Sequence, residues 1–359
     1  MKQLSAFRDR LPGLVRALLV GVPAGALCDW LETPIPWMIG PMVAVAAVNL
    51  MGRRVYAPPF GREAGQVILG SAVSLYFTPP VVAALGAHLG AIAVSTAAAF
   101  LIGRLGALTL SRVSGIDGKS AFFASIPGGA MAMAVLAERH GAMIAPVAVA
   151  HSLRVSIVVV VVPFALTYGG IPLESAPFRP SLPFDLPVFL AWMAGGVLAG
   201  GLSEKLGVHN GYLMAPIFLG AGLMVGGVEL SSVPRWLIDL AQLMFGLILG
   251  ARYERAFFVR YRLFVPFALI NAVFVMAVSA AVALGLAWLF DLSLATMLIA
   301  TAPGGMAEMT IVAQALHIGV PLVVAFHLFR VVVVNMGTQY IYALAQWARG
   351  RMRRAAAGE

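Results

Sequence analysis

The chain has 359 residues, 61% of them hydrophobic and 11% charged, and a mean hydropathy of +0.93. Soluble domains sit near 45–50% apolar and about 25% charged, so a soluble enzyme and a DNA-binding fold are excluded and a polytopic membrane protein is left. The net charge of +9 would suit a nucleic-acid partner, but membrane proteins collect Lys and Arg on cytoplasmic loops, so here the charge reports topology. Cys28 is the single cysteine, which excludes an intrachain disulfide. No Cys/His cluster has metal-site spacing, and neither a metal nor another cofactor is expected.

From the N-terminus, Lys2, Arg8, Arg10 and Arg16 precede an apolar run from Leu18 to Leu27 that imitates a secretory signal. The run has a counterpart later in the chain, so cleavage would destroy one copy of a repeat. Gly25, Leu27 and Pro41 match Gly200, Leu202 and Pro216 at an offset of 175. At an offset of 176, Gln66 and Gly70 match Gln242 and Gly246, Ser125-Ile-Pro-Gly-Gly129 matches Thr301-Ala-Pro-Gly-Gly305, and His151-Ser-Leu-Arg154 matches His327-Leu-Phe-Arg330. The chain therefore divides into a cytoplasmic tail (1–13), a membrane repeat (14–170), a connecting loop (171–186), a second repeat (187–347) and a basic cytoplasmic tail (348–359).

Hydropathy gives the first repeat apolar segments at 14–30, 35–51, 64–78, 81–110, 120–137 and 142–168. The second has them at 187–203, 211–228, 236–250, 263–290, 293–316 and 319–347. If all six cross, the repeats share one orientation; if the fifth enters and leaves on one face, the second repeat is inverted. With the N-terminus inside and the fifth segments re-entrant, twenty of the 24 Lys and Arg fall on the inner face. Arg179 and Arg235 fall outside, and Arg154 and Arg330 lie within segments. Twelve crossings would export the cluster from Arg252 to Arg262, against the positive-inside rule. The expected fold is all-α and polytopic: two inverted repeats of five crossings, each with one re-entrant or broken Pro-Gly-Gly segment. The third segment of each repeat is short for a span and is read as thin or tilted.

Pro-Gly-Gly within an apolar segment removes a backbone donor and two side chains, so the helix should break there. The arms are predicted at Ser120–Ala124 and Met131–Glu138, and at Met297–Ala302 and Met306–Gln314. Broken segments at matching places in inverted repeats mark a midplane solute site, and a half-helix starting after each break would aim free N–H groups at an anion. The competing reading is a packing kink. Candidate solute contacts are Ser125, Pro127, Gly128, Gly129 and Arg154 in one repeat, and Thr301, Pro303, Gly304, Gly305 and Arg330 in the other. Leu at Gly129 or Gly305 is expected to abolish function, the more so if φ is positive there. His151 shares a helix face with Arg154, as His327 does with Arg330, and a mid-membrane ionisable residue is costly enough to count by default as a functional hypothesis.

Glu308 is the one acidic residue placed deep in an apolar segment, and its counterpart is Ala132. It either neutralises Arg330 or Arg154, or carries a coupling proton, a role also open to His151 and His327. Gln66, Gln242 and Asn335, like Asn271 and Gln314, are read as supporting polar groups making interhelical hydrogen bonds.

With Pro127-Gly-Gly129 and Pro303-Gly-Gly305-Met-Ala-Glu308-Met, each followed by His-x-x-Arg, the chain resembles the AbrB family of bacterial inner-membrane proteins from about Leu14 to Ala345. The resemblance implies a duplicated membrane domain and brings two labels, regulator of gene expression and ammonia monooxygenase, without a catalytic residue. An unrelated soluble DNA-binding regulator shares the family's name and is excluded by hydropathy. Three functions compete: a secondary transporter of a small anionic organic solute, a membrane protein regulating gene expression indirectly, and a membrane oxygenase. The six scattered histidines, at 88, 140, 151, 209, 317 and 327, form no ligand set for the last. The expectation is a transporter in the bacterial inner membrane, not an enzyme, with both termini cytoplasmic. Its partners are the solute and the bilayer, with no direct nucleic acid; a homo-oligomer is allowed.

Overall fold

The computed structural model describes residues 2–173, 182–208 and 210–356, with side chains described between 11 and 342; Arg179 and His209 lie outside the described residues. Among the described residues all regular structure is helical. The first half holds α1 (Lys2–Trp30), α2 (Pro36–Leu50), α3 (Gly61–Ser74), α4 (Pro79–Ala87), α5 (Leu89–Ser114), α6 (Gly118–Ser125), α7 (Ala130–Arg139) and α8 (Ile144–Tyr168). The second holds α9 (Leu186–Lys205), α10 (Gly211–Val225), α11 (Arg235–Ala251), α12 (Arg255–Arg260), α13 (Val265–Phe290), α14 (Leu294–Thr301), α15 (Met306–Leu316) and α16 (Val320–Ala356). Three pairs of helices at matching places agree in length: α2 and α10 have 15 residues each, α5 and α13 have 26, and α6 and α14 have 8.

Six helices are long and apolar enough to cross a bilayer: α1, α5, α8, α9, α13 and α16. The others differ from the hydropathy reading in instructive ways. Pro79-Pro80 cannot donate back into α3, and α4 turns 91° away from it; segment 81–110 is not one helix but is interrupted at His88, with α5 starting afresh at Leu89. α2, α3, α10 and α11 have 14 to 17 residues, roughly 21–26 Å of helix. The boundaries at 13 and 348 do not interrupt the backbone, since α1 starts at Lys2 and α16 continues to Ala356.

The halves pack reciprocally. α2 lies against α11 and α10 against α3, while α5 and α13 face each other across the middle. Small residues make the close approaches, as expected where lipid removes the hydrophobic drive between helices. A Cβ at Gly246 or Gly250 of α11 would come within 2.5 or 2.7 Å of the Met38 or Met42 carbonyl of α2. The counterpart Gly70 of α3 stands at 2.6 Å from the Leu213 carbonyl of α10.

Contacts near the helix ends also sort the loops. At one end Asn49 Nδ2 donates to the Ala251 carbonyl (3.4 Å), Arg62 Nη2 donates to Asn210 Oδ1 (2.9 Å) and Gly52 lies beside Arg255. At the other end the Tyr168 hydroxyl donates to the Glu32 carbonyl (3.3 Å), the Asp185 N–H to Ser231 Oγ (3.0 Å), and Gly90 lies beside Phe290.

Val at Gly246 would force α2 and α11 apart. It is expected to cost about 1–3 kcal/mol, as overpacking does, and to lower the thermal midpoint of the detergent-purified protein. Gly285→Val, at a site with nothing within 4 Å, should leave the midpoint in place.

Candidate functional site

Each Pro-Gly-Gly segment folds as a helical hairpin whose two ends lie side by side. In the first, the start of α6 meets the end of α7: Lys119 Nζ donates to the His140 carbonyl (3.4 Å) and the Met143 N–H to Ser120 Oγ (2.8 Å). In the second, Gly319 after α15 lies against the Thr296 side chain in the first turn of α14. The first hairpin opens where Phe257 and Tyr261 pack over its cluster, the end that holds Arg62, Asn210 and Arg255. The second follows Phe290, at the opposite end.

The glycines of the breaks do not need positive φ. Gly129 and Gly305 sit at φ −65° and −76°, so the steric reason anticipated for them is absent. Space decides instead: a Cβ at Gly128 or Gly304 would press on Met133 or Met309 at 2.9 Å, and one at Gly305 would meet the Glu308 carboxylate. Gly129 has room, its nearest neighbour being Asn335 Nδ2 at 3.7 Å.

Arg154 and Arg330 hold the hairpins. The last carbonyls of an eight-residue helix have no partners within it, and a guanidinium offers five donors in one plane. Arg154 donates from Nη1 to the Ser125 carbonyl (3.0 Å) and from Nη2 to the Ile126 carbonyl (3.3 Å), at the end of α6. Arg330 does the same at the end of α14, from Nη1 to the Ala302 carbonyl (2.8 Å) and from Nη2 to the Gly304 carbonyl (3.1 Å). The sequence reading had these arginines facing a solute; the structure places their Nη groups on backbone, while the Nε of each is buried and unpartnered.

The histidines brace the arginines. Arg154 Nη2 donates to His151 Nδ1 (3.0 Å), so His151 carries its hydrogen on Nε2 and donates to the Phe123 carbonyl (2.9 Å). His327 repeats this with Arg330 (2.7 Å) and the Ile299 carbonyl (3.0 Å). A proton taken up at Nδ1 would confront the guanidinium hydrogen already there.

The two breaks come together on α16. Arg330 holds the second, and Asn335, about 7.5 Å further along the helix axis, accepts the Gly129 N–H of the first at 3.3 Å. Arg154 and Arg330 lie within electrostatic reach of each other. Ser125 accepts from Asn271 Nδ2 (3.1 Å), and Thr301 Oγ1 donates to the Ser279 carbonyl (3.2 Å). The glutamines stay outside this cluster: Gln66 Nε2 bonds Asn210 (3.3 Å), and Gln242 Oε1 is buried without a partner.

Glu308 does not pair with either arginine: among the described residues no ion pair within 4.0 Å joins them. Its carboxylate folds back over Gly305, at the N-terminus of α15, and senses the charge of Arg252. Arg252 also lies in electrostatic reach of His151, and the neighbouring Tyr253 bonds Ser156 of α8. Sequence counting had placed Arg252 among loop charges; its spacing carries no sign that α11 ends beside the hairpins. Among the described residues, no three His, Cys, Asp or Glu side chains come together as a metal site.

Two helical hairpins capped by buried arginines, in a chain whose described residues form only helices and include six long apolar ones, define a polytopic membrane protein. The chain belongs to the AbrB family, described as "Transition state regulatory protein AbrB", which matches residues 37–346. It is 26% identical over 308 residues to "Putative regulator AbrB" of Escherichia coli (strain K12), covering 83% of this chain and 86% of that one. It is 25% identical over 365 residues to YhjN of Bacillus subtilis (strain 168), covering 94% of each.

Arg154→Gln or Arg330→Gln should lower the thermal midpoint as well as any activity, because buried carbonyls lose charged donors; a hydrogen bond to a charged group contributes about 1.5–3 kcal/mol. A second expectation concerns Asp117, which caps α6 through the N–H groups of Lys119 (3.0 Å) and Ser120 (2.9 Å) and the Ser120 hydroxyl (2.5 Å). Partial burial opposes its ionisation, but the Ser120 bonds, the Lys119 N–H and the Lys119 charge outweigh that and hold it below the usual carboxylate range. Its stabilisation is complete above the unfolded pKa of about 3.9 and lost as pH falls through the lower folded value. Asp117→Asn should therefore flatten the fall in stability measured below about pH 4.

Proposed function

We infer that this protein is a secondary transporter of a small anionic organic solute in the bacterial inner membrane, with both termini cytoplasmic. The observation that carries this reading is the meeting, on one stretch of α16, of two broken hairpins that open at opposite ends of the bundle. Hairpins that do not cross leave five crossings per half and invert the second half, which is the architecture of alternating-access carriers. The loop contacts support the same topology. Arg62 with Asn210, and Gly52 with Arg255, need those loops on one face, where twelve crossings would separate them.

The asymmetry of the tips favours an anion. α15 begins with its own carboxylate, Glu308, folded over Gly305, whereas α7 begins with Ala132 at that place and only the amide oxygen of Asn335 on its first N–H. A solute carboxylate at the start of α7 would supply what Glu308 supplies in the other half, where helix N-termini favour negative charge. Glu308 then carries the coupling proton or ion in place of the histidines, whose Nδ1 atoms are committed to the arginines. In this reading there is no catalytic residue. A role in gene regulation, the word in the relative's name, follows indirectly from changing the concentration of an effector.

A thermal-shift screen of the detergent-purified protein against small carboxylates, amino acids, phosphate and ammonium tests the solute class. Stabilisation by a carboxylate, followed by its uptake into proteoliposomes, is expected; stabilisation by ammonium alone would refute it. The topology has its own check in a Cys28→Ala background. Ser231→Cys should react with an impermeant thiol reagent in intact cells and Arg255→Cys only after lysis; the reverse pattern would overturn the assignment of faces.

A further inference from the structure

The duplication makes each half a template for the other, and one place shows a gap that the template fills. Between α8, α13 and α14 runs an apolar groove of about 210 Å³, with Val161, Ala165, Val273 and Ala277 around its mouth and Leu298 and Pro303 at its floor. The mouth is open: Val161 and Val273 are 39% and 52% exposed, and both stand within helices long and apolar enough to cross the bilayer. At the offset of 176, Leu298 becomes Phe122, Met276 becomes Phe100, Leu166 becomes Tyr342 and Val161 becomes Gly337. There the space is filled by the chain itself. Phe100 lies over Gly337, with only 3.2 Å left for a Cβ, and the Phe122 and Tyr342 rings pack at 5.5 Å.

We propose that this groove holds one acyl chain of a bilayer phospholipid, which packs against the second Pro-Gly-Gly break in place of the aromatic side chains that pack beside the first. The medium at the mouth is hydrocarbon, and the walls are apolar. The volume exceeds the ~150 Å³ apolar cavity that takes up benzene. An empty groove would forfeit dispersion contacts along Ala302 and Pro303, which an acyl chain restores. The groove shares only Pro303 with the candidate solute contacts, and it stands whether or not the protein moves a solute.

The test uses the full chain in vesicles of phosphatidylethanolamine and phosphatidylglycerol, with a small share of the phosphatidylethanolamine carrying a diazirine in one acyl chain. After irradiation, adducts mapped by peptide mass spectrometry should be at least fivefold denser on 161–166 and 273–280 than on the exposed α9 residues Leu190, Val197 and Leu198. Met276→Phe with Leu298→Phe, the residues of the other half, should bring the groove down to the α9 level. If that pair misassembles on size exclusion, Ala277→Trp at the mouth serves the same purpose. Adducts no denser than on α9, or undiminished in a folded filled variant, would overturn the proposal. So would displacement by free fatty acid but not by unlabelled phospholipid.

Discussion

A guanidinium buried in a bilayer is costly unless its donors are used, and the last carbonyls of a short buried helix are costly unless they are accepted. In this protein each problem solves the other, twice. Arg154 closes the end of α6 and Arg330 the end of α14, where the helix dipole leaves negative potential for a cation. The rest of the hairpin depends on this pairing. Without it, the Pro-Gly-Gly break would expose backbone that lipid cannot satisfy.

The histidines complete the device by fixing the guanidinium plane. Because each ring accepts at Nδ1 and donates at Nε2 to a carbonyl of the same short helix, α8 and α16 grip their hairpins at two levels. α16 also reaches the other half through Asn335, a bond without a counterpart, since Val159 occupies the matching place in α8. The duplicated scaffold thus carries an unequal centre: one tip is closed by Glu308 and the other rests on a neutral amide.

Much of this was legible in the residues. Apolar composition defined the medium, and the 175 and 176 offsets marked the repeated motifs, of which α2 and α10, α5 and α13, and α6 and α14 keep equal lengths. Pro127 and Pro303 marked the breaks because proline's missing donor acts locally, whatever surrounds it. The third and fourth segments were less legible: the run from 64 to 110 stays apolar through the bend at Pro79, and hydropathy does not see direction. The arginines lie buried within their helices, as their apolar surroundings in the sequence required, but a charge in a sequence has no partner. Whether it faces a solute, a carboxylate or a helix end depends on elements about 30 residues away.

The sequence by itself determined what the chain must do in a membrane: keep apolar surface outward, break at two Pro-Gly-Gly points, and bury two cations, because these follow from side-chain chemistry and backbone covalency. Tertiary structure alone decided that the cations cap helices, that Glu308 turns onto its own helix start, that Arg252 arrives beside it, and that one half fills with aromatic rings a space the other leaves open. These are consequences of how separate helices pack once the chain has folded. The caps join residues 28 and 29 positions apart across a break and a turn, which no local pattern encodes.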